Sequence, residues 1–336
     1  MYDTIIVGGG PAGLSAAISA QRLGLEYLVL ERGVIADTIY RFPIARTLFS
    51  TADELQLEPG DLAPKHKPTR EELLNHYVRI ACREGLNILT GSDVLNVSQR
   101  QGVFEVLATT GIYSARTLLI AVGGFGRQRR LGVPGEDDSR VSYRFSEAHP
   151  FAMKDVLIVG GGNSAAEAAI WLSEVGARVT MAVRRRSLEM DPNGENAHSD
   201  SVQIKPWVRQ PLDRAISEGL IRLLTGARVT SIGPDSATVA FGRLSGDQSM
   251  VAEEVPCNHI FALIGADPDT HLLEQAGAAI GNDGRPVYDT ETYETSVPGL
   301  YVAGHLTREK HIKAAISVSR KVIERIAAQI LAECPA

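Results

Sequence analysis

Paired cysteines are missing from this chain. Its 336 residues hold only three, Cys82, Cys257 and Cys334, and no two are close in sequence. That excludes a Cys-x-x-Cys redox pair and the ligand spacing of a metal site, so no metal is expected. Cys82 falls in a helical pattern and Cys257 just before an apolar strand, where a small buried hydrophobe is the expected role. Charge of one sign is missing too. Lys and Arg number 34 against 40 Asp and Glu, a net charge of −6, and nothing draws such a chain to nucleic acid or an anionic membrane. Long apolar runs are also absent: none reaches the length of a bilayer span. The first strand starts at Tyr2, which leaves no room for a leader, and the cytoplasm is the expected compartment. What remains is an ordinary globular composition, 44% hydrophobic and 22% charged, in a chain long enough for two domains.

Glycine, by contrast, is plentiful at 32 residues, and its placement is informative. Asp3 to Val7 is a short apolar run, followed at once by Gly8-Gly9-Gly10-Pro11-Ala12-Gly13. A helical pattern then puts Leu14, Ala17, Ile18 and Leu23 on one side, and Leu28-Val29-Leu30 reads as a second strand closed by Glu31 and Arg32. Strand, glycine turn, helix, strand and acid together form a dinucleotide-binding fingerprint. Gly8 permits the tight turn, Gly10 lets backbone N–H groups approach a pyrophosphate, and Gly13 lets the helix pack closely on the strand. The helix N-terminus adds partial positive charge for the phosphates. Glu31 is placed to accept hydrogen bonds from a ribose diol.

From Arg32 to Asp61 there is little periodicity but several aromatics, and an ordered stretch of that length is a candidate functional loop. Thr69-Arg-Glu-Glu72 is a capping box opening a helix that stops at Gly85. Leu86–Thr90, Val94–Val97, Val103–Ala108 and Thr117–Val122 read as strands, a meander leading back to a sheet. Gly123, Gly124, Gly126 and Gly132-Val-Pro-Gly135 make a hinge-like segment.

Beyond it the opening pattern recurs. Asp155 to Val159 is a strand, Gly160-Gly161-Gly162-Asn163-Ser164-Ala165 a second fingerprint with alanine in the third glycine position, Ala166–Val175 a helix, and Arg178–Val183 the next strand. Counting on from Gly160 as far as Glu31 lies from Gly8 lands on Val183, with Arg184, Arg185 and Arg186 directly after it. An acid there would repel a 2′-phosphate, whereas guanidinium groups bind one bidentately, which favours NADPH. A solvated basic turn is the bland alternative, and because the fingerprint reads only an ADP half, a second FAD stays open. Phe261–Ile264 and Val297–Gly304 are further apolar strands, and a final helix runs from about Ile312 to Leu331.

Gly8–Gly13, Thr117–Gly124, Gly132-Val-Pro-Gly-Glu136, Gly160–Ala165 with Arg184-Arg185, and Pro298–Gly304 together resemble the low-molecular-weight flavoprotein disulfide reductases, of which thioredoxin reductase is the best known. Asp37–Pro43, Thr47–Ser50, Ser146–Pro150 and Ser201–Arg209 are similar to segments of the bacillithiol-disulfide-reductase-like branch. The resemblance covers nearly the whole chain. It implies an α/β fold of two Rossmann-like domains, a discontinuous FAD domain over 1–121 and 265–336 with an NAD(P)H domain over 122–264 inserted, and a homodimer. It also implies FAD at Gly8, Gly10, Pro11, Ala12, Gly13, Glu31, Arg32, Gly123, Gly304, His305 and Lys313, and NADPH at Gly160, Gly162, Asn163, Ser164, Ala165, Arg184 and Arg185. His305 stands where most of the wider family has Asp, and Ala12 where the branch has a cysteine. The Tyr40–Ser50 loop and the His305–Lys313 segment are candidates for lining the flavin, with His311 and Lys313 facing its reduced form or simply surface charge. No catalytic side chain is named. The expected activity is hydride transfer from NADPH to FAD and on to an external small-molecule or small-protein acceptor. A ferredoxin- or flavodoxin-type reductase and a nucleotide-binding redox sensor are the alternatives.

Overall fold

The computed structural model describes residues 1–62, 66–188, 204–242, 251–308 and 311–333. Ser201 to Gln203 and Cys334 to Ala336, on which some of the expectations above fall, lie outside them. The chain opens with β1 (Tyr2–Val7), α1 (Pro11–Arg22), β2 (Tyr27–Glu31), the short helices α2 (Asp37–Tyr40) and α3 (Ala52–Leu55), and α4 (Arg70–Arg83). Next come β3 (Ile88–Thr90), β4 (Val94–Arg100), β5 (Val103–Ala108), β6 (Gly111–Ile120) and β7 (Arg127–Gln128). A second stretch holds β8 (Val141–Ser142), β9 (Asp155–Val159), α5 (Asn163–Glu174), β10 (Arg178–Val183), α6 (Pro206–Ser217), β11 (Ile221–Thr225), β12 (Ala227–Ile232), β13 (Ser236–Phe241), β14 (Val251–Pro256) and β15 (His259–Ala262). The chain then returns through β16 (Ala266–Asp267), α7 (His271–Gln275), β17 (Leu300–Val302) and α8 (Ile312–Glu333).

Two compact units result: Met1–Arg127 with Ala266–Ala336, and Gln128–Gly265. The first boundary thus falls later than the 121/122 expected from the glycine-rich hinge. The reason is local packing. The Ala121 N–H donates to Val7 O, and a Cβ added at Gly124 or Gly126 would meet His305 or Asp269, so these residues close against the first unit.

In the first unit β1 lies between β2 and β6, both parallel to it. The long strand β6 changes partner along its length, pairing antiparallel with β5 at its start and parallel with β17 at its end. Period-two alternation then sorts side chains to two buried faces. Ile5, Val7, Leu28, Leu30, Leu118 and Ile120 enter one core, and Ile6, Val29, Leu119 and Tyr301 the other. The second core is closed by alanines of α1 (Ala12, Ala16, Ala17, Ala20) against Val318, Val322 and Ile326 of α8. Small side chains on α1 let the two helices approach. The capping box of α4 forms as its sequence implies, with Thr69 accepting from Glu72 N–H and the Glu72 carboxylate accepting from Thr69 N–H.

The second unit repeats the plan with a parallel sheet in the order β11-β10-β9-β15-β8, plus an antiparallel β12-β13-β14 sheet. Cys257 is buried among its apolar residues, as expected. Cys82 is not: it is exposed on α4. That helix turns Leu73, Tyr77, Ile80 and Ala81 inward, and the helical period carries Cys82 off this face.

Candidate functional site

The first glycine turn is built by three close approaches. Gly8 has φ of +110°, and a Cβ there would lie 2.5 Å from Ala121 O. A Cβ on Gly13 would fall 1.8 Å from Gly8 O, so the helix can sit this tightly on the strand only without a side chain. Gly10 differs: a Cβ there meets nothing within 4 Å. Its missing side chain leaves room for a group outside the protein. Gly10 is also the N-cap of α1, with no side-chain cap, Pro11 in the first turn and no acid there. The first N–H groups and the partial positive charge of α1 are therefore left to an anion.

Glu31 is seated by this turn. Its Oε2 accepts the Gly9 N–H at 2.5 Å and its Oε1 the Gly33 N–H at 2.7 Å. The side chain is buried, and loss of hydration raises its pKa despite the two N–H donors that lower it. A carboxylate has acceptor capacity beyond two bonds, which suits a diol. Gly9 is the participant that spacing alone did not single out. Its signal was the run of three glycines, since a Cβ on Gly9 would press within 3.0 Å of Glu31 Cβ.

Other expected residues converge on the same end of the sheet. Gly304, at the end of β17 with φ of +71°, lies against the first turn of α1: a Cβ on it would be 3.2 Å from Ala12 Cβ. A Cβ on Gly124 would be 3.0 Å from His305 Cβ, and the His305 ring meets Phe125 edge-on at 5.6 Å. Gly123 has φ of +83° with open space around its α-carbon. Arg32 is exposed beside Glu31. Lys313 and His311 are exposed at the start of α8, and Lys313 borders a cleft with Asp53, Glu54, Ser317 and Arg320. Within the Tyr40–Ser50 loop Arg46 packs over the rings of Phe42 and Phe49 at 4.9 and 5.1 Å, and the loop is tied to α4 where the Arg70 guanidinium donates to Tyr40 O.

The second turn copies the first with different chemistry. Gly160 has φ of +142° and approaches Leu263 O as Gly8 approaches Ala121 O. Ala165, fully buried, takes the place of Gly13. Gly162 is the N-cap of α5 without a side-chain cap or a first-turn acid. The Asn163 Oδ1 accepts from Lys205 N–H at 2.8 Å, and Ser164 is exposed. A Cβ on Gly161 would strike Val183 Cγ1 at 2.7 Å, so Val183 occupies the spot that Glu31 holds beside Gly9. No carboxylate sits there. Instead the Arg185 Nη2 donates to Gly161 O at 2.5 Å, and Arg184 is exposed next to it. Both turns thus fit an ADP-containing ligand, one offering an acid to the ribose and the other cations. Among the described residues no three His, Cys, Asp or Glu side chains gather as metal ligands, and no described helix is long and apolar enough to cross a membrane.

Comparison with known proteins agrees with this geometry. Residues 5–304 match the model of the pyridine nucleotide-disulphide oxidoreductases. The bacilliredoxin reductase Bdr of Bacillus subtilis is 34% identical over 305 residues, covering 89% of this chain and 88% of that protein. A ferredoxin–NADP reductase of Ignicoccus hospitalis is 27% identical, covering 91% and 90%. Among solved structures, bacillithiol disulfide reductase Bdr from Staphylococcus aureus superposes with a TM-score of 0.87 at 31% identity, covering 97% of this chain and 98% of that one. The two-domain, thioredoxin-reductase-like architecture is therefore the one the motifs implied, and membership implies FAD and NAD(P)H as cofactors. The chain belongs to the pyridine nucleotide-disulphide oxidoreductases.

Proposed function

We propose that this chain is an FAD-dependent NADPH oxidoreductase whose electrons pass from the flavin directly to an external acceptor, without a protein dithiol. The observation that carries the second half is the placing of its cysteines. Neither glycine turn holds one: Ala12 stands where the branch that the chain resembles has a cysteine, and Gly160–Ala165 contain none. Cys82 is exposed on α4, and burial pushes the Cys257 thiol up to about 11, so it stays protonated and unreactive at neutral pH. Bdr relatives and a ferredoxin–NADP reductase support an acceptor that is either a small disulfide or a small protein. A homodimer, implied by the resemblance, is checked by sedimentation.

When bound, FAD supplies a hydride acceptor for the nicotinamide and an electron donor for the acceptor. The protein's own part is binding and orientation. The bare N-terminus of α1 and the space over Gly10 receive the pyrophosphate, and Glu31 accepts from the ribose hydroxyls. Gly304, set against Ala12, closes the other side of that turn. In the second unit Gly160 and Gly162 admit a pyrophosphate at α5, and Arg184 and Arg185 supply cations for a 2′-phosphate. Those cations beside Val183 favour NADPH over a second FAD. The experiment is to identify the nucleotides released by heat, then add NADPH or NADH anaerobically. One FAD per chain, bleached faster by NADPH, is expected. Two flavins per chain, or a flavin that neither coenzyme reduces, overturn the reading.

A further inference from the structure

The segment after β17 is held by a side chain that no nucleotide motif contains. Residues 304–306 form a single 3₁₀ turn that starts at the buried Gly304 and leads toward α8. The carbonyls of residues 305–307 point to one guanidinium. The Arg285 Nη1 donates to His305 O at 2.9 Å, Leu306 O at 3.3 Å and Thr307 O at 2.6 Å. Three consecutive carbonyls crowd partial negative charge into one place, and a cation is the group that lets them stay there. Arg285 is half-buried and presented by a tight turn: Gly284 N–H donates to Gly281 O, Gly281 N–H to Arg285 O, and Arg285 N–H to the Asp283 carboxylate. A second side chain from the same stretch grips the next residue, since the Tyr288 hydroxyl accepts from Arg308 N–H at 3.1 Å. Tyr288 is itself stacked on Tyr293, with ring centroids 5.7 Å apart.

What this strap holds matters because of its neighbours. Gly304 abuts Ala12 in the first turn of α1, and His305 abuts Gly124. A shift of the 304–307 backbone would move one wall of the glycine turn. We propose that Arg285 is a positioning residue for the flavin. It never touches the cofactor but draws the carbonyls of residues 305–307 to one side and so fixes Gly304 and His305 against the α1 turn. This rests on the reading that FAD occupies the first glycine turn.

The test compares Arg285→Ala, Arg285→Lys and Arg285→Gln with wild type, each stripped of flavin and titrated with FAD. Readouts are FAD affinity, the visible absorption band and midpoint potential of the bound flavin, the melting transition, and NADPH affinity of the second unit. The Ala variant is expected to bind FAD about tenfold or more weakly, with a shifted band and potential. Lys should recover much of the loss because it restores charge, and Gln less. Melting and NADPH affinity should stay near wild type. Wild-type FAD affinity and spectrum in the Ala variant, or in Gln if Ala does not fold, overturn the proposal. So does a loss of FAD that Lys fails to recover and that tracks a general fall in melting temperature. A wild-type protein that binds no FAD at all overturns the cofactor assignment and this proposal with it, whereas flavin-loaded wild type with indifferent variants overturns Arg285 alone.

Discussion

At Glu31 burial and ligand binding pull in opposite directions. Its pKa lies above the ordinary 4.5 because the carboxylate is desolvated. In the flavin-free protein its contribution to stability is therefore fully present below 4.5 and is lost as pH rises through the raised value. In the proposed role, ribose hydroxyls donate to the ionised form, so FAD binding would favour deprotonation and affinity should climb with pH through the same window. Titrating FAD at a series of pH values checks this. Glu31→Gln should flatten the profile and weaken binding by about 1–3 kcal/mol at neutral pH; an unchanged affinity would remove Glu31 from the ribose. Arg184 and Arg185 are the residues proposed for the other coenzyme. Replacing both by Ala should raise KM for NADPH far more than for NADH, and equal effects on the two would mean that neither arginine reads the 2′-phosphate. That Glu31 and Val183 would sit beside their glycine turns was legible in the sequence, because a strand-turn-helix-strand unit fixes where its last residue points. Arg285 was not: its three carbonyl partners lie some twenty residues further on, in another element, and no local pattern announces such a reach.

Glycines of one turn answer to different constraints, and that separates folding from binding within a single element. Gly13 faces Gly8 O at a distance no methyl can occupy, so Gly13→Ala should part α1 from β1 and lower the melting temperature even without flavin. Gly10 faces open space in an extended conformation that alanine adopts, with φ of −80°. Gly10→Ala should therefore fold and melt like the parent yet hold FAD poorly, because the added methyl enters the space meant for phosphate. Thermal melts of the stripped proteins beside their flavin content decide the matter; a Gly10→Ala protein that keeps its flavin would place the pyrophosphate elsewhere. The long periodic elements were readable for a related reason. Alternation in β1, β2 and β6 and the cap of α4 are local signals. The helices α2 and α3, four residues each, bury Ile39 and Leu55 against α4 and α1 through contacts made only after the chain folds back. Strands β13 and β14 likewise went unread because their apolar residues alternate briefly and pair with each other rather than with the main sheet.

For the whole molecule, the absence of paired sulfur is the feature with the widest reach. A variant with Cys82→Ser, Cys257→Ala and Cys334→Ser should reduce a quinone acceptor with NADPH at close to the parental rate. Alanine is chosen at Cys257 because a hydroxyl there would be buried among apolar side chains. A hundredfold fall with FAD retained, about 2.7 kcal/mol on the barrier, would show that a cysteine carries electrons after all. The two-unit plan was legible because its two fingerprints repeat. The crossing point was less so, since Gly124 and Gly126 look like a hinge until their neighbours His305 and Asp269 are known. That crossing has one more implication. The chain leaves the first unit at β7 and re-enters it at β16, and these two strands are hydrogen-bonded to each other. Among the described residues, the clusters around Ile5, Ile6 and Leu14 are built from the first unit and the cluster around Leu157 from the second. An insert whose entrance and exit are neighbours behaves as a cassette. A gene encoding residues 1–127 joined to 266–336 by a short Gly/Ser linker should yield a small yellow protein that still captures FAD but no longer answers to NADPH, and the vacated joint would accept another reductant-binding module in its place.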